Sequence, residues 1–299
     1  MKTDLMALHR NIILGLLLAL AAASWAVLVW QVSGNSMGMA MNSPTMGMGA
    51  ALFLAMWVVM MVAMMFPTTA PMILTFHKVQ SGKRQRGEAF VATWVFVTAY
   101  MAVWSLSGIA AYAGALGAEA FAARTGLSAA TAARIGGVML ILAGIFQLTP
   151  FKDMCLSKCR TPIAFIMTSW RDGVGGAVRM GLEHGAYCLG CCWLLFLILF
   201  PLGIMNIGAM AVITLVVFAE KTFPWARPIA RITAGALVVY GVAVLVEPRI
   251  LPTFMGDRNM LMTPPGTAMD MQNTSMPGRA AAISARRHWL RSRRATAAT

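Results

Sequence analysis

Charge is scarce in this 299-residue chain: 11% of its residues are Asp, Glu, Lys or Arg, and only 10 are acidic. With 59% of residues hydrophobic and the uncharged runs long, a soluble globular fold is excluded and a polytopic membrane protein is indicated. Five cysteines are too few to be a disulfide scaffold for a chain of this length. There is no phosphate-binding loop to couple the protein to a nucleotide, no flavin or quinone motif, and no DNA- or RNA-binding motif. The net charge of +14 does not point to nucleic acid, because Lys and Arg lie between the apolar runs and towards the C-terminus, where membrane topology accounts for most of them.

The apolar runs predict an all-α transmembrane helical bundle of about seven spans. Lys2 and Arg10 precede the first, 11–32, which is followed by no convincing small-residue cleavage site and reads as a retained anchor. Others cover 50–76, 89–116 and 135–151; a fifth ends near Gly203, Met205 and Asn206 connect it tightly to a sixth that ends near Glu220 and Lys221, and a seventh covers 229–246. Pro67 and Pro71 should kink or interrupt the second. The third, with Trp94, Tyr100 and Trp104, offers no obvious chemistry. The stretch 162–170 is too short to cross and reads as interfacial or re-entrant, while Glu220 and Lys221 are expected to snorkel to the bilayer surface. Three regions follow: an N-terminal anchor with a Met-rich outer loop (1–49), a metal-binding membrane core (50–247), and a Met-rich, basic, largely disordered tail (248–299).

Positive charge sets the orientation. Fourteen Lys and Arg lie in loops assigned to the cytoplasm, against Arg124 alone in the outer loops and Arg134 at a boundary, so the N-terminus is expected in the cytoplasm of a bacterium, with the chain in the inner membrane. Seven spans then put the tail outside despite its eight Arg residues; six spans are the alternative.

The chemistry concentrates in the run Gly-Leu-Glu-His-Gly-Ala-Tyr-Cys-Leu-Gly-Cys-Cys-Trp, from Gly181 to Trp193. On a helix, His184, Cys188 and Cys191 fall within roughly 60° of one another, with Cys192 about 40° beyond Cys188. Thiolate and imidazole suit Cu(I) or Zn. The competing reading is packing: cysteine is commonly buried, and Gly181 and Gly185 let helices approach closely. Cys155 and Cys159, spaced i, i+4 beside Lys158 and Arg160, read as a dithiol exchange or redox pair near the cytoplasm. Met56, Met60 and Met64 share one helical stripe, which is either adaptable packing or a set of thioether ligands. Closely spaced Met in 33–49 and six Met in the tail add soft ligands that cannot form disulfides.

Several of these segments also carry a resemblance: Met60-Met61-Val62-Ala63-Met64-Met65-Phe66-Pro67, Cys155 with Cys159 and Pro162, the Gly181–Trp193 block, Gly203 with Met205-Asn206, and Glu220-Lys221. Over about Ala50 to Val246 the chain resembles a bacterial family of predicted metal-binding integral membrane proteins. The resemblance implies metal binding without naming a metal, substrate or reaction. The reading is therefore a membrane protein that handles, transfers or transports a soft metal ion, Cu(I) first and Zn second. Its expected partners are the lipid bilayer and a metal chaperone or metalloenzyme. A membrane thiol-disulfide oxidoreductase and a structural subunit are the competing classes, and no catalytic residue is assigned.

Overall fold

In the computed structural model, which describes residues 2–34, 45 and 47–252, every regular element is helical. The order is α1 (Lys2–Gly34), α2 (Ala50–Gln85), α3 (Thr93–Thr125), α4 (Ala129–Phe146), α5 (Pro150–Arg160), α6 (Pro162–Ser169), α7 (Gly173–Leu197), α8 (Leu199–Leu202), α9 (Ile207–Thr222) and α10 (Ala226–Val246). Helix is the answer that long apolar runs force, because each backbone N–H and C=O then finds its partner within the same segment. The Met-rich stretches of the loop and the tail lie largely outside the described residues.

Among the described residues six helices are long and apolar enough to cross a membrane, counting α7 and α8 as one stretch, Gly173–Leu202. The sixth predicted span corresponds to α9, whose 16 residues rise only about 24 Å. The outward faces are apolar: Leu215 is 67% exposed, Ile232 73% and Val239 70%, a surface that water does not tolerate over whole helices.

The interior is built on α2, α3 and α7. α7 meets α3 where Gly181 and Gly185 stand: a Cβ at Gly181 would lie 2.6 Å from the Phe96 carbonyl, and one at Gly185 2.8 Å from Val103 Cγ2. The glycines therefore serve close packing, and that packing brings Tyr100 of α3 to the level of Cys188 on α7. α2 runs as one helix through Pro67 and Pro71, so of a kink or an interruption the structure rules out the interruption. Pro67 has no N–H for the carbonyl of Ala63, and that carbonyl instead accepts a hydrogen bond from Trp25 Nε1 of α1 at 3.2 Å, so it is not left orphaned.

Between α4 and α7 the chain descends in short pieces. Thr149 caps α5, its hydroxyl accepting from Lys152 N at 3.4 Å, with Pro150 in the first turn; Pro162 then ends α5 and opens α6. At the far end of α2, Lys83 pairs with Asp172, the N-cap residue of α7, and this lysine holds the Asp172 carboxyl below the usual carboxylate range.

Candidate metal centre

α7 carries Cys188, Cys191 and Cys192 into the core, each at most 2% exposed. Cys191 and Cys192 Sγ both donate to the Cys188 carbonyl, at 3.1 and 2.8 Å, a bond back along the helix of the kind small side-chain donors make to the preceding turn. Cys188 Sγ faces the other way and is met from three helices. Lys221 Nζ of α9 donates to it at 2.9 Å, Tyr100 Oη of α3 lies 3.2 Å away, and Met65 Sδ of α2 lies 4.0 Å away. Lys221 also reaches Thr68 Oγ1 at 3.4 Å, and Thr69 Oγ1 is 2.9 Å from Tyr100 Oη. A cationic side chain thus sits against buried sulfur, held also by the Thr68 hydroxyl of α2.

α5 brings the second cysteine pair to the same place. Cys159 lies close enough to the thiols of Cys188 and Cys191 to interact with both. Cys155 Sγ lies over α7 at Gly190, 3.0 Å from where a Cβ would stand. Sequence spacing separates Cys155 and Cys159 from the α7 cysteines as a distinct exchange pair; in three dimensions the two groups merge, because the proline breaks around α5 fold it along α7. All five are free thiols, and of them Cys159 alone is partly exposed.

His184 shares the face of α7, one turn before Cys188. Its ring packs among Phe165, Tyr100 and Phe96, at centroid distances of 5.5, 5.6 and 6.0 Å, and among the described residues its buried Nδ1 has no hydrogen-bond partner. The Met stripe divides as well. Met56 and Met60 line a small cavity with Met205, Met64 is fully buried, and it is Met65, one position off the predicted stripe, that reaches Cys188.

Neither residue of the Glu220-Lys221 pair snorkels. Glu220 is 2% exposed and accepts from Lys152 Nζ of α5 at 2.7 Å and from Gln147 Nε2 at 3.2 Å; Lys152 donates also to Gln147 Oε1. This closed polar triad ties α9 to α5 beside the cysteines. The third predicted span, without apparent chemistry in sequence, contributes Tyr100. Only one signal in the sequence pointed to Lys221 and Glu220: two charges inside an apolar run are costly unless paired.

Among the described residues, no three His, Cys, Asp or Glu side chains stand in a ready coordination geometry. The thiols are turned to one another, to a carbonyl and to Lys221, so binding an ion would require sulfur rotamers to change. The donor set, thiols with a nearby thioether, nonetheless matches a soft ion better than a hard one.

The fold and this site first define a class: a helical bundle, long and apolar enough to cross a membrane six times, enclosing buried sulfur. Within that class, the chain belongs to the PpoB2 copper chaperone family, whose model matches residues 54–244. The match runs from α2 into α10 and takes in all five cysteines. Comparisons with curated proteins and with solved structures found no match.

Proposed function

We propose that this protein is a membrane-embedded Cu(I) carrier that binds the ion through Cys188, Cys191 and Cys159, with Cys192, Cys155 and Met65 close by, and passes it to a partner metalloprotein or metal chaperone. The observation that carries this reading is the convergence of Cys159 of α5 with Cys188 and Cys191 of α7 around the Lys221 amine. Thiolates in an apolar interior need a compensating positive charge, which Lys221 supplies until Cu(I) takes its place. Cu(I) tolerates low coordination and exchanges sulfur ligands one at a time. Each step makes one Cu–S bond and breaks another with no change in oxidation state, and protons leave thiols as they bind and return on release. Cys159, the one thiol with access to the outside, is the handover ligand. Zn is the second candidate metal, but a structural Zn site would want four ligands at once.

The test is anaerobic purification, copper counted by mass spectrometry, and thiol titration. About one Cu(I) per chain is expected at this site, with Cys188→Ser and Cys191→Ser each lowering retention by about tenfold or more, and Cys155→Ser doing less because its sulfur lies on Gly190. Equal retention in all three variants refutes the assignment. The closeness of Cys159 to two other thiols also supports a redox reading. A metal-free protein that cycles a Cys159 disulfide with an electron carrier would establish that reading instead.

A further inference from the structure

The cavity at the N-terminal part of α2 is lined by Phe53, Met56, Trp57, Met60, Ile204 and Met205 and has a volume of about 10 Å³, near the space of a single water molecule. Three of its six lining residues are thioethers, drawn from two elements far apart in sequence. A pocket of this size without charged walls is a poor water site, since water needs several polar partners. It is large enough for a bare Cu(I) ion, and thioether sulfur is a ligand suited to that ion.

The walls are fastened rather than casual. Trp57 Nε1 donates to the Trp104 carbonyl at 3.1 Å, and its ring occupies space left by Gly108, where a Cβ would lie 2.5 Å from Trp57 Cδ1. Met205 is held by the turn between α8 and α9. Gly203 adopts φ +93°, Asn206 N donates to the Gly203 carbonyl at 2.9 Å, and Asn206 Oδ1 caps α9 by accepting from Ala209 N at 3.0 Å. That turn leaves Met205 only 7% exposed.

The cavity also stands in line with the thiol cluster. Met60 and Met65 are five residues apart on α2, about 7.5 Å along the axis, and Met64 lies between them, fully buried. Met65 Sδ is 4.0 Å from Cys188 Sγ. We propose that Met56, Met60 and Met205 form a second, thioether-only Cu(I) site, from which the ion moves along α2 by way of Met64 and Met65 to the cysteines. In each transfer one Cu–thioether bond is exchanged for another sulfur bond, and the last exchange releases a thiol proton; copper stays Cu(I) throughout. The relay rests on the copper reading above, whereas the thioether site stands by itself.

Anaerobic Cu(I) titration of the full chain in detergent against a chromogenic chelator separates the two. The proteins compared are the wild type, the Cys159→Ser/Cys188→Ser/Cys191→Ser variant, and that variant with Met56→Leu, Met60→Leu and Met205→Leu, each checked for native helix content by circular dichroism. Leu conserves the volume of Met closely enough to keep packing, and Met205→Leu alone serves as the milder change. The cysteine variant should keep about one equivalent, with affinity changing less than about twofold between about pH 7.5 and about pH 5.5, because thioethers release no proton. The Leu changes should weaken that residual binding by about tenfold or more. A cysteine variant that holds no copper, or residual binding indifferent to the Leu changes, overturns the thioether site and leaves the thiol site standing. Wild-type binding that the Ser changes do not alter overturns the thiol site instead, and the Leu changes then decide the thioether site on their own.

Discussion

Glu220 and Lys221 are neighbours in sequence, but about 100° of helical rotation separates their directions, and each finds a different partner. Glu220 turns to Lys152 and Gln147, and Lys221 turns to Cys188. Two adjacent charges can be buried in an apolar bundle only because each is met separately. Removing one partner of a buried pair leaves the other uncompensated, at a cost of about 3–5 kcal/mol. Glu220→Gln should therefore lower the unfolding midpoint in detergent sharply, and combining it with Lys152→Met should recover most of the loss. If the double variant is no more stable than the single one, the triad is not what holds α5 in place. In the chain alone these residues looked like interfacial anchors, because their position at the end of an apolar run fits snorkelling as well as burial.

Among the helices, the approach of α7 to α3 controls the site most directly. Gly181 and Gly185 serve the close approach of two helices, and that approach is what positions Tyr100 against Cys188. Gly181→Ala places a methyl 2.6 Å from the Phe96 carbonyl, and overpacking of this kind costs about 1–3 kcal/mol. The expected outcome is a lower thermal midpoint together with weaker Cu(I) retention in the chelator assay, since separating the helices also moves Tyr100. A stable variant with unchanged retention would show that the α3 contact is dispensable. α2 teaches the same lesson from the other side. Two prolines marked it as kinked or interrupted; the helix is not interrupted, the indole of Trp25 takes up the carbonyl that Pro67 leaves free, and no local pattern reveals a donor 38 residues away.

At the scale of the whole molecule, the arrangement of charge is the basis of the proposed orientation. With Lys and Arg concentrated in alternate loops, the proposed topology puts the N-terminus and the loop around Arg86 in the cytoplasm, and seven spans put the tail outside. A reporter active only outside the cytoplasm should be silent when fused after Arg86 and active when fused after Met276. Activity of a cytoplasm-only reporter after Met276 would return the count to six and place the tail's methionines on the other side from the 33–49 loop. The count turns on α9, short for a span and tied by Glu220 and Lys221 to α5 and α7.

The sequence by itself determined the helical class, the long apolar stretches, and the face of α7 that carries Cys188, Cys191 and Cys192, because hydrophobicity and helical periodicity are local properties written in consecutive residues. It also pointed to sulfur and copper through Cys and Met, whose chemistry does not depend on the fold. Only the tertiary structure decided which of these residues meet: Cys159 with Cys188, Met65 in place of Met64, Met205 with Met56 and Met60, and Lys221 as the cation beside the thiol. These contacts span from 29 to about 150 residues of chain, and they depend on how short helices bounded by Pro150, Pro162 and Gly203 turn back on α7 and α2. No helical wheel drawn for one segment contains that information, because the wheel gives the direction in which a side chain leaves its own helix and nothing about what waits there.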